Sequence, residues 1–187
     1  MIQRSMLAVA LAACSPEPGE DGGPGALDSS VEGGSPDLVA RVGKVLVNEV
    51  MAQNQTSWSD ETGSHPDWIE LWNPNDEEVD ISGWWLSDDL AEPFDWQLPE
   101  GVVLAPGEHL IVPCDGDDAT DGTLHATFHL DAAGGEDVAL FGPNVLDNPV
   151  VDAIEDMAPQ ALDVSLARMN DDTWAPDPTP TPGAAND

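Results

Sequence analysis

From Gly43 onward, short apolar stretches recur between clusters of Gly, Pro, Asn and Asp. They are Val45–Val50, Asp67–Trp72, Glu78–Ser82, Trp84–Ser87, Phe94–Leu98, Val102–Leu104, His109–Pro113, His125–Leu130, Asp137–Phe141, Val150–Ile154 and Ser165–Met169. Many of their residues are β-branched or aromatic, and several stretches alternate: Ile69 and Leu71 fall on one side of an extended chain, Trp68, Glu70 and Trp72 on the other. No window holds apolar residues at helical spacing for the roughly ten residues a helix needs. Turn chemistry fills the gaps: Asn73-Pro74-Asn75, Ser82-Gly83, Pro99-Glu100-Gly101, Ala105-Pro106-Gly107, Gly134-Gly135 and Gly142-Pro143-Asn144. Short strands at this rhythm predict an all-β fold, a sandwich with Greek-key connections. No sequence repeat accompanies the rhythm, which argues against a propeller or solenoid.

The N-terminal part follows another pattern. A basic start with Arg4 leads into the apolar run Met6–Ala13 and then Cys14, the layout of a secretory signal. The run is far shorter than the roughly 20 residues of a membrane-spanning helix. Between Cys14 and Gly43 the chain is rich in Pro, Gly, Ser, Asp and Glu and shows no apolar period. Such a segment does not bury enough surface to offset its ordering entropy, and it reads as a flexible acidic tether with a reach of roughly 30 Å. The expected organisation is a signal peptide over 1–13, a tether over 14–43 and one strand-built domain over 44–187.

Charge narrows the classes of partner. The 187 residues include 37 Asp and Glu against 4 Lys and Arg, a net charge of −33. A surface this negative repels phosphate backbones and anionic lipid, so nucleic-acid binding and electrostatic membrane attachment are excluded as expectations. Seven Trp and three Phe, with no Tyr, supply the large side chains of a core. The acidity also suits a saline habitat, where salt screens self-repulsion.

Leu11-Ala12-Ala13-Cys14 resembles the lipobox of bacterial lipoproteins. The resemblance implies a diacylglyceryl group on Cys14, cleavage before it, and acylation of the new amine. Several acyl chains give stable anchoring, and Ser15 rather than Asp at the next position points to the outer membrane, with the domain on its periplasmic or extracellular face. Cys114 is then the one cysteine left for the domain. It closes the apolar run Leu110–Pro113 and is expected to be a small buried hydrophobe.

A second resemblance covers the domain itself. Leu46–Val50, Asp67–Asn73 and Val79–Asp89 are similar in order and spacing to the lamin-tail domain, and so are Leu104–Gly107, Phe128–Leu130, Gly134–Glu136, Val138–Phe141, Val151-Asp152, Ser165–Arg168 and Pro180–Asn186. This implies an immunoglobulin-like β-sandwich. Bacterial members occur on secreted and surface proteins, alone or fused to nucleases and other hydrolases, and in nuclear lamins a similar domain serves protein contacts. The extreme acidity and the lack of an attached catalytic domain set this chain apart.

Asn48, Glu49, Asp67 and Glu70 are polar residues in stretches otherwise built for packing, where a buried charge is costly unless paired or bound to a cation. They either hydrogen-bond backbone amides and fix strand order, or Glu49, Asp67 and Glu70, with Asp88 or Asp89, ligate Ca²⁺ through their oxygens. Asp115, Asp117, Asp118 and Asp121 form a loop that is either solvated or Ca²⁺-binding, although Ala119 breaks the EF-hand spacing. His125 and His129 would lie about 13 Å apart on a strand, too far for one ion. His65 and His109 are isolated. No Ser-His-Asp grouping or pair of carboxylates in a cleft supports catalysis. Adjacent Trp84 and Trp85 point to opposite faces of a strand, which leaves one available to a protein or a sugar ring. Trp68, Trp72 and Trp96 are expected in the core or at its edges, and Trp174 is expected to staple the C-terminus.

The expectation is a non-catalytic, lipid-anchored surface module that binds a protein or glycan partner, with Ca²⁺ as a stabiliser. The alternative is a metal-dependent hydrolase or nuclease accessory domain.

Overall fold

The computed structural model describes residues 44–117, 124–143 and 150–186. Every regular element among them is a strand. In chain order these are β1 (Leu46–Met51), β2 (Asp67–Trp72), β3 (Val79–Asp80), β4 (Trp85–Ser87), β5 (Trp96–Gln97) and β6 (Val103–Leu104), followed by β7 (His109–Cys114), β8 (Val138–Phe141), β9 (Val150–Ile154), β10 (Ser165–Arg168) and β11 (Trp174–Asp177). A five-stranded sheet has the order β11-β10-β1-β2-β7, a four-stranded sheet the order β5-β4-β8-β9, and β3 pairs with β6. All these pairings are antiparallel. The two larger sheets share one core: Val47, Val50, Ile69, Leu71, Val112 and Leu166 from the first meet Leu86, Trp96, Val138, Leu140 and Ile154 from the second. This is a sandwich-type all-β domain, as the alternating pattern requires.

β1 breaks that alternation. All six of its residues are buried. A bulge between Val47 and Glu49 inserts Asn48 as an extra residue opposite β2, so Val47 pairs with Leu71 and Glu49 with Glu70. Val45 and Val47 face the core before the bulge, Val50 and Ala52 after it. Asn48 and Glu49 are thereby turned together onto the sheet's outer face.

Two expectations are corrected. His125–Leu130 is not a strand; it makes only the isolated bridges Cys114↔Ala126 and Asp115↔His129. His125 instead serves the loop, with Nδ1 at 2.8 Å from Asp115 and Nε2 at 3.3 Å from Glu61. Conversely, β11 arises in a segment outside the apolar stretches that the sequence pattern marked as strands. Pro176 fits because β11 is the outermost strand of its sheet, where a missing N–H donor faces away from the ladder.

The sheets are also clamped across one edge. Arg168 of β10, 9% exposed, donates to Val47 O at 2.8 Å and pairs with Asp152 of β9 and with Asp172, while its guanidinium lies 4.8 Å over the Trp174 ring. At the Gly134-Gly135 turn, Gly134 has φ +76°, and a Cβ there would sit 2.6 Å from Met157 O and 2.7 Å from Pro159 N. Gly134→Ala is therefore expected to cost about 1–3 kcal/mol. The check is a lower urea midpoint at unchanged slope.

Candidate functional site

The outer face of the five-stranded sheet carries two buried carboxylates side by side, Glu49 and Glu70, both 0% exposed. Neither is orphaned. Glu49 accepts hydrogen bonds from Ser165 Oγ and, at 3.2 and 3.3 Å, from the Thr181 backbone N–H. Glu70 accepts from Asn48 Nδ2 at 2.7 Å and from the Gly183 N–H at 2.6 Å, and His109 Nδ1 lies 2.7 Å away. Asn186 Nδ2 donates to the carbonyls of Asn48 and Arg168, at 3.0 and 2.9 Å. Residues 178–186 thus lie as a strap across β1 and β2. The carboxylates hold backbone amides of this strap.

Burial pushes the Glu49 carboxyl up to about 7, against the Ser165 hydrogen bond, with the Glu70 charge adding to the rise. Beside the strap, Trp72 stacks on His109 with centroids 5.8 Å apart. The cavity there, lined by Asn48, Trp72, His109 and Asn186, measures about 60 Å³, room for a water or two.

The remaining oxygen-bearing residues are dispersed. Asp67 stands apart from the Glu49–Glu70 pair: its Oδ1 accepts from Asn54 N at 3.1 Å, and burial raises its carboxyl while His129 opposes the rise. Asp115 binds His125, and its Oδ1 accepts from the N–H of exposed Asp117 at 3.1 Å. Asp118 and Asp121 lie outside the described residues, as does Cys14. Asp89 Oδ1 accepts from Ala91 N at 2.7 Å. Asp88 and Asp95 share a side-chain hydrogen bond, and burial raises both. Burial also lifts Glu136 to about 7, with the charges of Asp88, Asp131 and Asp67 adding to the rise. Among the described residues, no group of three or more His, Cys, Asp and Glu could hold a metal ion. Cys114 is 1% exposed and packs in the core as expected, its thiol pushed up by burial.

The outer face of the four-stranded sheet is different in kind. Cross-strand register sets Gln97, Trp85, Phe141 and Val150 in one row from β5 to β9. Trp84 packs towards the core and Trp85 turns away from it, so the opposed-face expectation is met, yet both are half-buried. The exposed ring is Phe94, at 50%, which meets Trp85 edge-on with centroids 5.2 Å apart and planes at 82°. Val150, 51% exposed, ends the row. Trp85 Nε1 is buried without a hydrogen-bond partner. Sequence patterning placed Phe94 in the apolar stretch Phe94–Leu98 and not at a contact surface; the strand there is only Trp96–Gln97, and Phe94 sits in the β4–β5 turn before it. The signal for exposure is that it directly follows Pro93 in an otherwise acidic turn.

A family model, the Lamin Tail Domain, matches residues 39–155. The match covers more than half of the chain and takes in β1 to β9. Comparison with the curated proteins gives no match.

Proposed function

The chain belongs to the lamin-tail-domain family, and from that premise we propose that it is a non-catalytic, lipid-anchored module of the outer membrane whose domain binds a protein or glycan partner. The sandwich is of the immunoglobulin-like kind with Greek-key connections. Cys14 carries the lipid, and the acidic segment after it lifts the domain away from the head groups. The observation that carries the binding role is the exposed Phe94 ring set edge-on against Trp85 on the outer face of the four-stranded sheet. Phe94 and Val150 stand half in solvent and Trp85 is half-buried, on a sheet face whose other side already forms the core, while Phe141 between Trp85 and Val150 is buried. Contiguous exposed apolar surface of this sort marks contact sites, and aromatic rings supply the anchors of such contacts.

Two measurements test this. Cys14→Ser is expected to move the protein from the membrane fraction to the soluble fraction and to remove the added acyl mass at the N-terminus. On arrays of surface proteins and oligosaccharides, the wild-type chain is expected to give a signal that Phe94→Ala lowers by about tenfold, equal to about 1.4 kcal/mol. Phe94→Ala should leave the thermal midpoint nearly unchanged, since half of the ring is already in water. Membrane retention of Cys14→Ser would overturn the anchor. Array signal indifferent to Phe94 would overturn the binding face.

A further inference from the structure

We propose that the free edge of β7, at His109 and Ile111, takes up an extended segment of a partner protein as an added strand, one in which apolar residues alternate with Lys or Arg. The site lies on the five-stranded sheet, whereas Trp85 and Phe94 belong to the outer face of the four-stranded one, so the two readings stand or fall separately.

β7 is the last strand of its sheet, with β2 as its one neighbour there. In an antiparallel pair, alternate residues turn both N–H and C=O to the neighbour, and the residues between them turn both the other way. Asn73 N–H donates to Glu108 O at 2.9 Å, and the register continues through Leu71↔Leu110 and Ile69↔Val112. Leu110 and Val112 thus bond to β2, and His109, Ile111 and Pro113 face away from it. Pro113 agrees with this phase: it has no N–H to give to β2, and its carbonyl accepts from the Ala126 N–H at 2.7 Å beyond the edge. Ala126 covers that end of β7 through the bridge Cys114↔Ala126. Among the described residues, nothing hydrogen-bonds to the outward main-chain groups of His109 and Ile111. Two N–H and two C=O groups in extended geometry therefore stand open, which is the template for strand addition.

So short an edge selects little by backbone alone, and the side chains beside it set what the added strand carries. A cleft of about 350 Å³ opens at the start of β7, lined by Leu110, Leu124, Val103 and Leu104. Val103 is 44% exposed. A strand laid along His109 and Ile111 presents every second side chain on the cleft's side of the sheet, where apolar ones cover Val103 and Leu110. Glu100 and Glu108 line the same cleft, both exposed, and no Lys, Arg or His is among its described lining residues. Glu108 spends Oε2 on the Ala105 N–H at 2.6 Å and keeps its other oxygen for a partner. Lys44, at the head of β1, does not line the cleft. A basic side chain on the added strand thus meets two carboxylates in the cleft that receives its apolar neighbours, and the field of the domain steers its approach. A second copy brings the net charge of −33 against itself, and the chain's own segment over 15–42 is acidic too.

The test adds a short labelled peptide of alternating Val and Lys to the full-length chain at about 0.15 M salt. Binding is followed by fluorescence anisotropy and by amide exchange. Two controls accompany it: the same peptide with its backbone amides N-methylated throughout, and a peptide of alternating Val and Glu. The Val-Lys peptide is expected to bind and to slow exchange of the His109 and Ile111 amides by about tenfold. Both controls are expected to bind at least about tenfold more weakly. Ile111→Pro removes the outward N–H without breaking a bond to β2, as edge positions permit, and should weaken the Val-Lys peptide about tenfold. Val103→Asp, in the cleft, serves as the second variant if Ile111→Pro lowers the thermal midpoint. Glu100→Gln should weaken binding about twofold to fivefold, and Glu92→Gln, in the β4–β5 turn, less than about twofold. Equal binding of the N-methylated peptide would reduce the effect to charge attraction and overturn the proposal. Equal binding of the Val-Glu peptide would overturn the basic assignment. His109 and Ile111 amides protected before any peptide is added would overturn it as well, by placing a second copy at the edge if protection rises with concentration, or the chain's own N-terminal segment if it does not. Absence of binding and of protection by the Val-Lys peptide would leave the edge without an occupant, and the proposal falls.

Discussion

Glu70→Ala is expected to lower the unfolding free energy by about 3–5 kcal/mol, the cost of stripping a buried charged acceptor from its donors. Glu70 is fully buried and engages three elements: Asn48 of the β1 bulge, His109 of β7 and Gly183 of the strap. Deletion leaves the Asn48 amide and the Gly183 N–H without their carboxylate acceptor. The strap should loosen first, so the Thr181 and Gly183 amides should exchange with solvent faster than those of β8, which lies in the other sheet. Urea unfolding with amide exchange on the same sample checks both. A loss below about 1 kcal/mol would mean that these bonds are replaced by water without cost, and the strap would then not be held by Glu70.

The second large effect concerns pH. The Glu49 carboxyl stands at about 7 in the fold against its ordinary 4.5, raised by burial. The folded state therefore binds more protons than the unfolded chain between those two values, and stability falls as pH rises through that window. Glu49 alone accounts for on the order of 2–3 kcal/mol lost between pH 5 and 8. Glu136, also raised to about 7, acts in the same direction, reduced by its exposure to solvent. His125 joins them: burial would lower it, but Asp115 and Glu61 outweigh that and raise it, so its contribution is present at low pH and fades as pH rises through its folded value. Asp60, Asp80 and Asp171 are lowered by hydrogen bonds within their turns, which at Asp60 outweigh the desolvation that opposes them, and Asp163 by those from Gln55 and Thr56 far along the chain; their contribution is lost only as pH falls below the ordinary carboxylate range. The expected profile has its maximum near pH 5 and declines towards pH 8. Glu49→Gln should remove the larger part of the decline and leave the variant more stable than wild type at pH 8. An unchanged slope in Glu49→Gln would show that Glu49 is not the group that titrates.

These two glutamates separate what each level of description supplies. Period-two patterning was enough to place Ile69 and Leu71 inside, to give β2 its limits, and to turn Trp84 and Trp85 to opposite faces, because alternation is a local property of an extended chain. The turns at Gly134-Gly135 and Ala105–Gly107 were legible for the same reason: their chemistry is confined to adjacent residues. Cys114 read as core from its apolar neighbours alone.

The roles of Asn48, Glu49 and Glu70 were not legible in that way. The sequence marked them as costly residues in packing segments, and two chemistries were open. The choice depends on a bulge that shifts β1 by one residue and on a strap more than 100 positions away, whose amides arrive at the carboxylates only once the sheet exists. β11 likewise exists because β10 offers it an edge, not because Trp174–Asp177 prefers to be extended. Phe94 reaches Trp85 through the path of a turn. By itself, then, the sequence determined the all-β class, the faces of the strands and the charge of the surface, since these follow from side-chain type and near-neighbour spacing. Only the tertiary structure decided which buried carboxylates are satisfied and which aromatic ring meets solvent, because both depend on partners that folding brings together from distant parts of the chain.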